Sequence, residues 1–178
     1  MSTMRALAYS LDRISAALNA VAVWGAILAI LVMIGAAGWQ VVARYILAQP
    51  PIWTEELARY SMVWAGVLGG SCAFRLAADP SLFPSMRNIT GLTGDAFAAI
   101  RALGALAFIA PILWYSILGL NGQTSTGYIG RLMGRQAETM ALPMSAFGIA
   151  IPIAFALILI HLIADLAMSV TSQKRPTP

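Results

Sequence analysis

Residues 14–43 read ISAALNAVAVWGAILAILVMIGAAGWQVVA, a run without a single charge, closed by Arg13 on one side and Arg44 on the other. As a helix rising 1.5 Å per residue it is longer than the ~30 Å of hydrocarbon in a bilayer, so it must tilt or run on into the interface. Only a helix or a closed barrel satisfies its own backbone in lipid. The rest of the chain has the composition of a membrane protein: 60% of its 178 residues are apolar and 10% are charged, with a mean hydropathy of +0.79. A soluble domain carries about a quarter charged residues to solvate its surface. Composition thus excludes a soluble enzyme and a disordered chain, and the single cysteine, Cys72, excludes a disulfide scaffold. The net charge of +4 is scattered between apolar runs and presents no basic face, so no nucleic acid partner is expected.

Working outward, the uncharged stretch Tyr60–Phe74 between Arg59 and Arg75 is too short to cross alone, so its helix must start upstream, near Thr54. A third apolar run extends over about 96–120, with Arg101 near its start and Pro111 inside. A fourth extends over about 140–168, with Pro143, Pro152 and His161. The expected fold is an all-α integral membrane protein. It has four transmembrane helices, at about 18–44, 54–75, 96–120 and 140–168, with short amphipathic interfacial segments, and residues 1–178 form one domain. One such segment is the N-terminus, where Met4, Leu7, Leu11, Ile14 and Leu18 repeat at helical spacing away from Arg5, Asp12 and Arg13. Another is Pro84–Ile100, with Met86, Ile89, Leu92, Phe97 and Ile100 on one side. The first apolar run far exceeds the ~7–15 residues of a cleavable signal core, which reads as an uncleaved first helix.

Four crossings put both termini on one side. That side carries Arg5, Arg13, Arg75, Arg87, Lys174 and Arg175, against Arg44, Arg59, Arg131 and Arg135 on the other. The positive-inside rule then places both termini in the cytoplasm of a cell whose inner membrane holds the protein. Trp39, Tyr45, Trp53, Tyr60, Trp114, Tyr115 and Tyr128 fall at or near the outer interface, as an aromatic belt does. The triplet Asn88-Ile89-Thr90 fits a glycosylation acceptor only weakly and lies on the side expected to be cytoplasmic.

One histidine excludes a bis-histidine haem within the chain, and one cysteine with one histidine cannot build a zinc or iron–sulfur site. No phosphate-binding loop or nucleophilic triad is present. The residues therefore point to no catalytic site, no cofactor and no metal. His161 reads first as a packing residue near the inner end of the last span, with Asp165 one turn on as a hydrogen-bond partner and a proton relay as the alternative.

The densest polar constellation is Arg44-Tyr45, a short loop with Pro50-Pro51, and Trp53-Thr54-Glu55-Glu56-Leu57-Ala58-Arg59-Tyr60. Thr54 reads as an N-cap, with Glu55 and Glu56 complementing the helix dipole. Arg59 stands i+4 from Glu55 and i+3 from Glu56, within reach of both, and Arg44 faces the turn as a partner for the second carboxylate. On this reading, removing Arg59 costs more than removing a tail residue such as Arg175. Spacing leaves two readings open: a capped helix end among headgroups, or a subunit contact. Further along stand Trp64, Gly66, Gly69, Gly70 and Arg75, and the small-xxx-small spacing of the glycines predicts a packed rather than lipid-facing side.

Arg44-Tyr45, then Trp53-x-Glu55-Glu56-Leu57-x-Arg59-Tyr60, Trp64, Gly66-x-x-Gly69-Gly70 and Arg75, resembles the small membrane subunit of the tripartite ATP-independent periplasmic (TRAP) transporters. Length, four spans and the Leu142-Pro143-Met144 and Ile151-Pro152 stretches are similar as well. The chain departs from that family after Arg75, where it reads Leu76-Ala77-Ala78-Asp79-Pro80 in place of the usual Gly and His. The resemblance implies a sodium-driven, binding-protein-dependent transporter for organic anions. In it this chain packs against and supports a large membrane subunit that carries the transport path, and a periplasmic substrate-binding protein delivers the anion. It also implies that Arg44, Tyr45, Trp53, Glu55, Glu56, Arg59, Tyr60, Trp64, Gly66, Gly69, Gly70 and Arg75 form a subunit-interface or structural cluster. Two alternatives remain at this stage. A small oligomeric exporter would want a carboxylate at mid-span, and the acids here lie near span ends; the anchor subunit of a respiratory complex is disfavoured by the lone histidine.

Overall fold

The computed structural model describes residues 2–78, 89 and 91–170; Asp79, Pro80, most of Pro84–Thr90 and the terminal residues from 171 lie outside the described residues. Six α-helices follow in order: α1 (Ser2–Tyr45), α2 (Trp53–Arg75), α3 (Leu92–Ile117), α4 (Tyr128–Met133), α5 (Ser145–Gly148) and α6 (Ala150–Val170). The described residues contain no strand, and the nearest approach to one is an isolated antiparallel bridge between Gln136 and Pro143.

Among the described residues three segments are long and apolar enough to cross a membrane: Thr3–Tyr45, Thr93–Ile117 and Ser145–Ser169. At 23 residues α2 is also long enough to span. Its four charges, Glu55, Glu56, Arg59 and Arg75, together with its serines and glycines, leave it outside that group. The reason is visible in the packing, because α2 lies against both α1 and α6 and buries Thr54, Glu56, Ser61 and Ser71 beside Leu68 and Cys72. A helix whose neighbours are protein can spend polar residues that a lipid-facing helix cannot.

α1, α2 and α6 pack on one another, and α3 packs on α6. The first three meet over small side chains: Ala22 and Ala26 of α1 lie against Leu68 and Cys72 of α2, with Trp64 and Leu157 closing the cluster. A Cβ on Gly25 would come to 3.0 Å from the Leu68 Cδ1 atom, so a side chain there would have to displace the end of Leu68. A second cluster, Ala102, Ile109 and Leu162 with Phe155 and Leu159, joins α3 to α6. Outward, α1 exposes Val21, Trp24, Leu28, Leu31 and Ile34, as a lipid-facing surface does.

Two expectations change. The N-terminal segment is not a separate surface helix but the uninterrupted beginning of α1, whose 44 residues have helical hydrogen bonding throughout. The stretch 140–144, taken with the fourth span, is not helical. Pro143 lacks an N–H and disfavours helix at Leu142, so the chain folds back as a hairpin, with Ala137 N–H donating to Leu142 O at 2.9 Å and Met144 N–H to Arg135 O at 2.9 Å. Pro152, in the first turn of α6, interrupts nothing. Between α3 and this hairpin the backbone is packed tightly enough that a Cβ on Gly127 would fall on the Ile117 carbonyl and one on Gly130 on the Thr124 carbonyl.

Candidate functional site

The sequence block divides in space. Arg44, Glu55, Glu56 and Arg59 line one cleft of about 310 Å³ at the end of the bundle where α1 stops and α2 starts, together with Gln40, Glu138 and Thr139. Arg75 lies at the opposite end of α2.

Glu56 organises the first group. It is only 4% exposed, and its carboxylate accepts the backbone N–H of Glu138 (2.9 Å) on Oε1 and that of Thr139 (2.7 Å) on Oε2. The Thr139 hydroxyl also donates to Oε2. Two successive backbone N–H groups converging on one anion form a nest. The Tyr60 hydroxyl, one turn along α2, lies 3.2 Å from Glu56 Oε1 and 3.0 Å from Met144 Sδ. Its ring stacks on Phe147 with centroids 4.0 Å apart and planes inclined by 10°. Glu56 and Tyr60 together fasten the 135–144 hairpin and α5 to the head of α2. A carboxylate so fully engaged is a structural anion and is not available to carry a proton or a coupling ion.

This geometry corrects the local reading. Arg59 reaches only Glu55, at 3.8 Å, with side chains 61% and 73% exposed. Such a contact contributes little to the stability of the chain itself. Arg44 is exposed in the last turn of α1 and does not neutralise Glu56. Thr54 is not the N-cap: Ile52 holds that position, and the buried Thr54 hydroxyl donates to Pro51 O at 2.8 Å. Tyr45 and Trp53 are exposed at the same end, and Trp64 packs against the α1–α2 core. Gly66, Gly69 and Gly70 have nothing within 4 Å of where a Cβ would stand, so their side of α2 is unpacked among the described residues.

At the other end, Arg75 is 12% exposed and pairs with Asp12 Oδ1 at 3.2 Å, while its Nη1 also donates to Ser15 Oγ. Ser15 Oγ in turn lies 2.7 Å from His161 Nδ1, joining α1, α2 and α6. Arginine can only donate, so the fully buried Ser15 oxygen accepts from Arg75 and bridges the guanidinium to the imidazole, the direction of the Ser15–His161 bond being set by the imidazole tautomer. Asp165 accepts from Arg101 of α3 at 3.0 Å. His161 is fully buried, with Nδ1 against Ser15 of α1.

Glu138, Thr139, Met144 and Phe147 on one side, and Asp12 and Ser15 on the other, are the partners that sequence reasoning missed. Their only signal was polarity beside a proline where a helix was expected, and a serine within an apolar run.

A family model described as "Tripartite ATP-independent periplasmic transporters, DctQ component" matches residues 33–172. The chain belongs to the DctQ family. No curated protein matches it. As a DctQ component it is the small membrane subunit of a TRAP transporter, and its apolar helices fit that place in a membrane. The matched region contains the Glu56 cleft and all of α2, but it begins beyond Asp12 and Ser15, so two of the groups that hold Arg75 lie upstream of it.

Proposed function

We propose that this DctQ component is the non-catalytic subunit of a sodium-driven, binding-protein-dependent transporter for organic anions, packing against and supporting the large transport subunit in the inner membrane. All four long helices, α2 included, cross the bilayer. The observation that carries the reading is the unpacked glycine side of α2, with exposed Met62, Gly66 and Gly70 below the exposed pair Glu55 and Arg59. Small residues in a membrane helix allow a second helix to approach closely, and among the described residues no helix does so. The large subunit supplies that helix, and the periplasmic binding protein delivers the anion. The small-exporter alternative gains no support: among the described residues the acids buried or half-buried in the bundle are engaged, Glu56 by the hairpin, Asp12 by Arg75 and Asp165 by Arg101.

Gly66→Leu tests the reading. The variant chain should melt as the native one does, since the new side chain enters open space, while copurification of the large subunit should fall by at least about tenfold. Unchanged copurification would move the interface to another face. Both termini are cytoplasmic and the Tyr45–Thr54 loop periplasmic, on the strength of the basic-residue count. In a Cys72-free background, single cysteines replacing Gln49 and Thr177 should be labelled from outside and only after permeabilisation, respectively. The opposite pattern would invert the topology.

A further inference from the structure

We propose that the cleft between the end of α1 and the start of α2 binds the headgroup of a zwitterionic phospholipid carrying a primary ammonium. Its phosphate sits on Arg44 and Arg59, and its ammonium on Glu138 with Glu55. The cleft, at about 310 Å³, reaches the lower end of the range of small-ligand sites. Its charges are unsatisfied in a particular way. Among the described residues Arg44 makes no ion pair or hydrogen bond, and Arg59 makes only the 3.8 Å contact with Glu55. Glu56, the one buried carboxylate in the lining, is fully occupied by the hairpin N–H groups and neutralises neither arginine. Guanidinium donors are suited to phosphate oxygens, which they meet two at a time, and uncompensated arginines beside hydrocarbon are costly.

The position of the cleft selects a lipid over a dissolved ion. It lies where α1 leaves its apolar run, among exposed Trp39, Tyr45 and Trp53, the residue types that mark the bilayer interface. Ile46 and Ile52 in the adjoining loop are 75% and 74% exposed and offer acyl chains an apolar neighbour. Because the lining carries both signs, an ethanolamine headgroup fits both halves. Choline has no N–H to give the carboxylates, and glycerol has no cation. The proposal rests on α1 and α2 crossing the bilayer and is independent of the subunit assignment; partition of the chain into detergent, scored in the same preparation, reads that membrane placement separately.

The experiment is native mass spectrometry of the full chain in detergent, offered phosphatidylethanolamine, phosphatidylcholine and phosphatidylglycerol together. One phosphatidylethanolamine should be retained with a preference of about tenfold over the other two. Retention should disappear in R44Q/R59Q with helicity unchanged. E138Q, which keeps the backbone N–H that Glu56 uses, should erase the discrimination between ethanolamine and choline. Free phosphoethanolamine and inorganic phosphate, each in excess, should displace nothing. Equal or stronger retention of phosphatidylglycerol, retention undiminished in R44Q/R59Q, or displacement by the free headgroup would each overturn the proposal.

Discussion

Glu56→Ala should release the 135–144 hairpin from α2. The substitution leaves the Glu138 and Thr139 N–H groups, the Thr139 hydroxyl and the Tyr60 hydroxyl without the oxygens they share. Donors left without an acceptor away from bulk water cost more than the bond itself contributes. Apart from the Tyr60 contacts with Met144 and Phe147, the hairpin's own backbone bonds close it on itself. Arg135 is exposed at its base, so the opening can be read as trypsin cleavage after that residue, which should accelerate by about tenfold or more. Glu56→Gln keeps the shape but turns an amide N–H₂ toward a donor, and should give a smaller acceleration of the same kind. Arg59→Ala, which on spacing alone looked more damaging than loss of a tail residue such as Arg175, should leave the cleavage rate near that of the native chain because its contact is long and exposed. Equal rates in native and Glu56→Ala chains would mean that the hairpin is held by something other than this carboxylate.

Arg75→Ala is the second large effect. It removes the guanidinium that pairs with Asp12, whose side chain is only 15% exposed, and the donor to the Ser15 hydroxyl that meets His161. Breaking one partner of a largely buried pair costs about 3–5 kcal/mol, chiefly because the remaining charge is left uncompensated. The melting temperature of the purified chain should therefore fall by roughly 10 °C, taking 2–4 °C per kcal/mol for a chain of this size. Removing Asp12 as well should restore part of the loss, so that Asp12→Ala/Arg75→Ala is more stable than the sum of the single changes predicts. Strict additivity would contradict the pairing.

What could be read from the residues alone was governed by how local the signal is. The extent of α2 follows from two arginines too close together for a span, and that helix starts at Trp53, one residue from where the reasoning placed it. α1 was legible for the same reason, as a run with no charge to end it. Glu56 was singled out correctly but given the wrong partner. Helical spacing proposes i,i+3 and i,i+4 neighbours, and one of these, the Tyr60 hydroxyl, does meet Glu56 where Arg59 does not; its other partners, the Glu138 and Thr139 N–H groups and the Thr139 hydroxyl, lie more than eighty residues away, beyond the reach of any local pattern. Residues 140–144 failed for a related reason: apolar composition extends a span in either direction, and only the backbone bonds made around Pro143 show where the helix begins. The glycine side of α2 was expected to be packed, and in the isolated chain it is open. That outcome leaves the spacing argument standing only if the packing partner is another polypeptide.

Reconstitution tests that point most directly. The purified chain alone in liposomes, with an inward sodium gradient, should accumulate no organic anion, and sodium-dependent uptake should appear only when a large TRAP membrane subunit and a periplasmic binding protein are added. Sodium-driven accumulation by this polypeptide alone would contradict the subunit account.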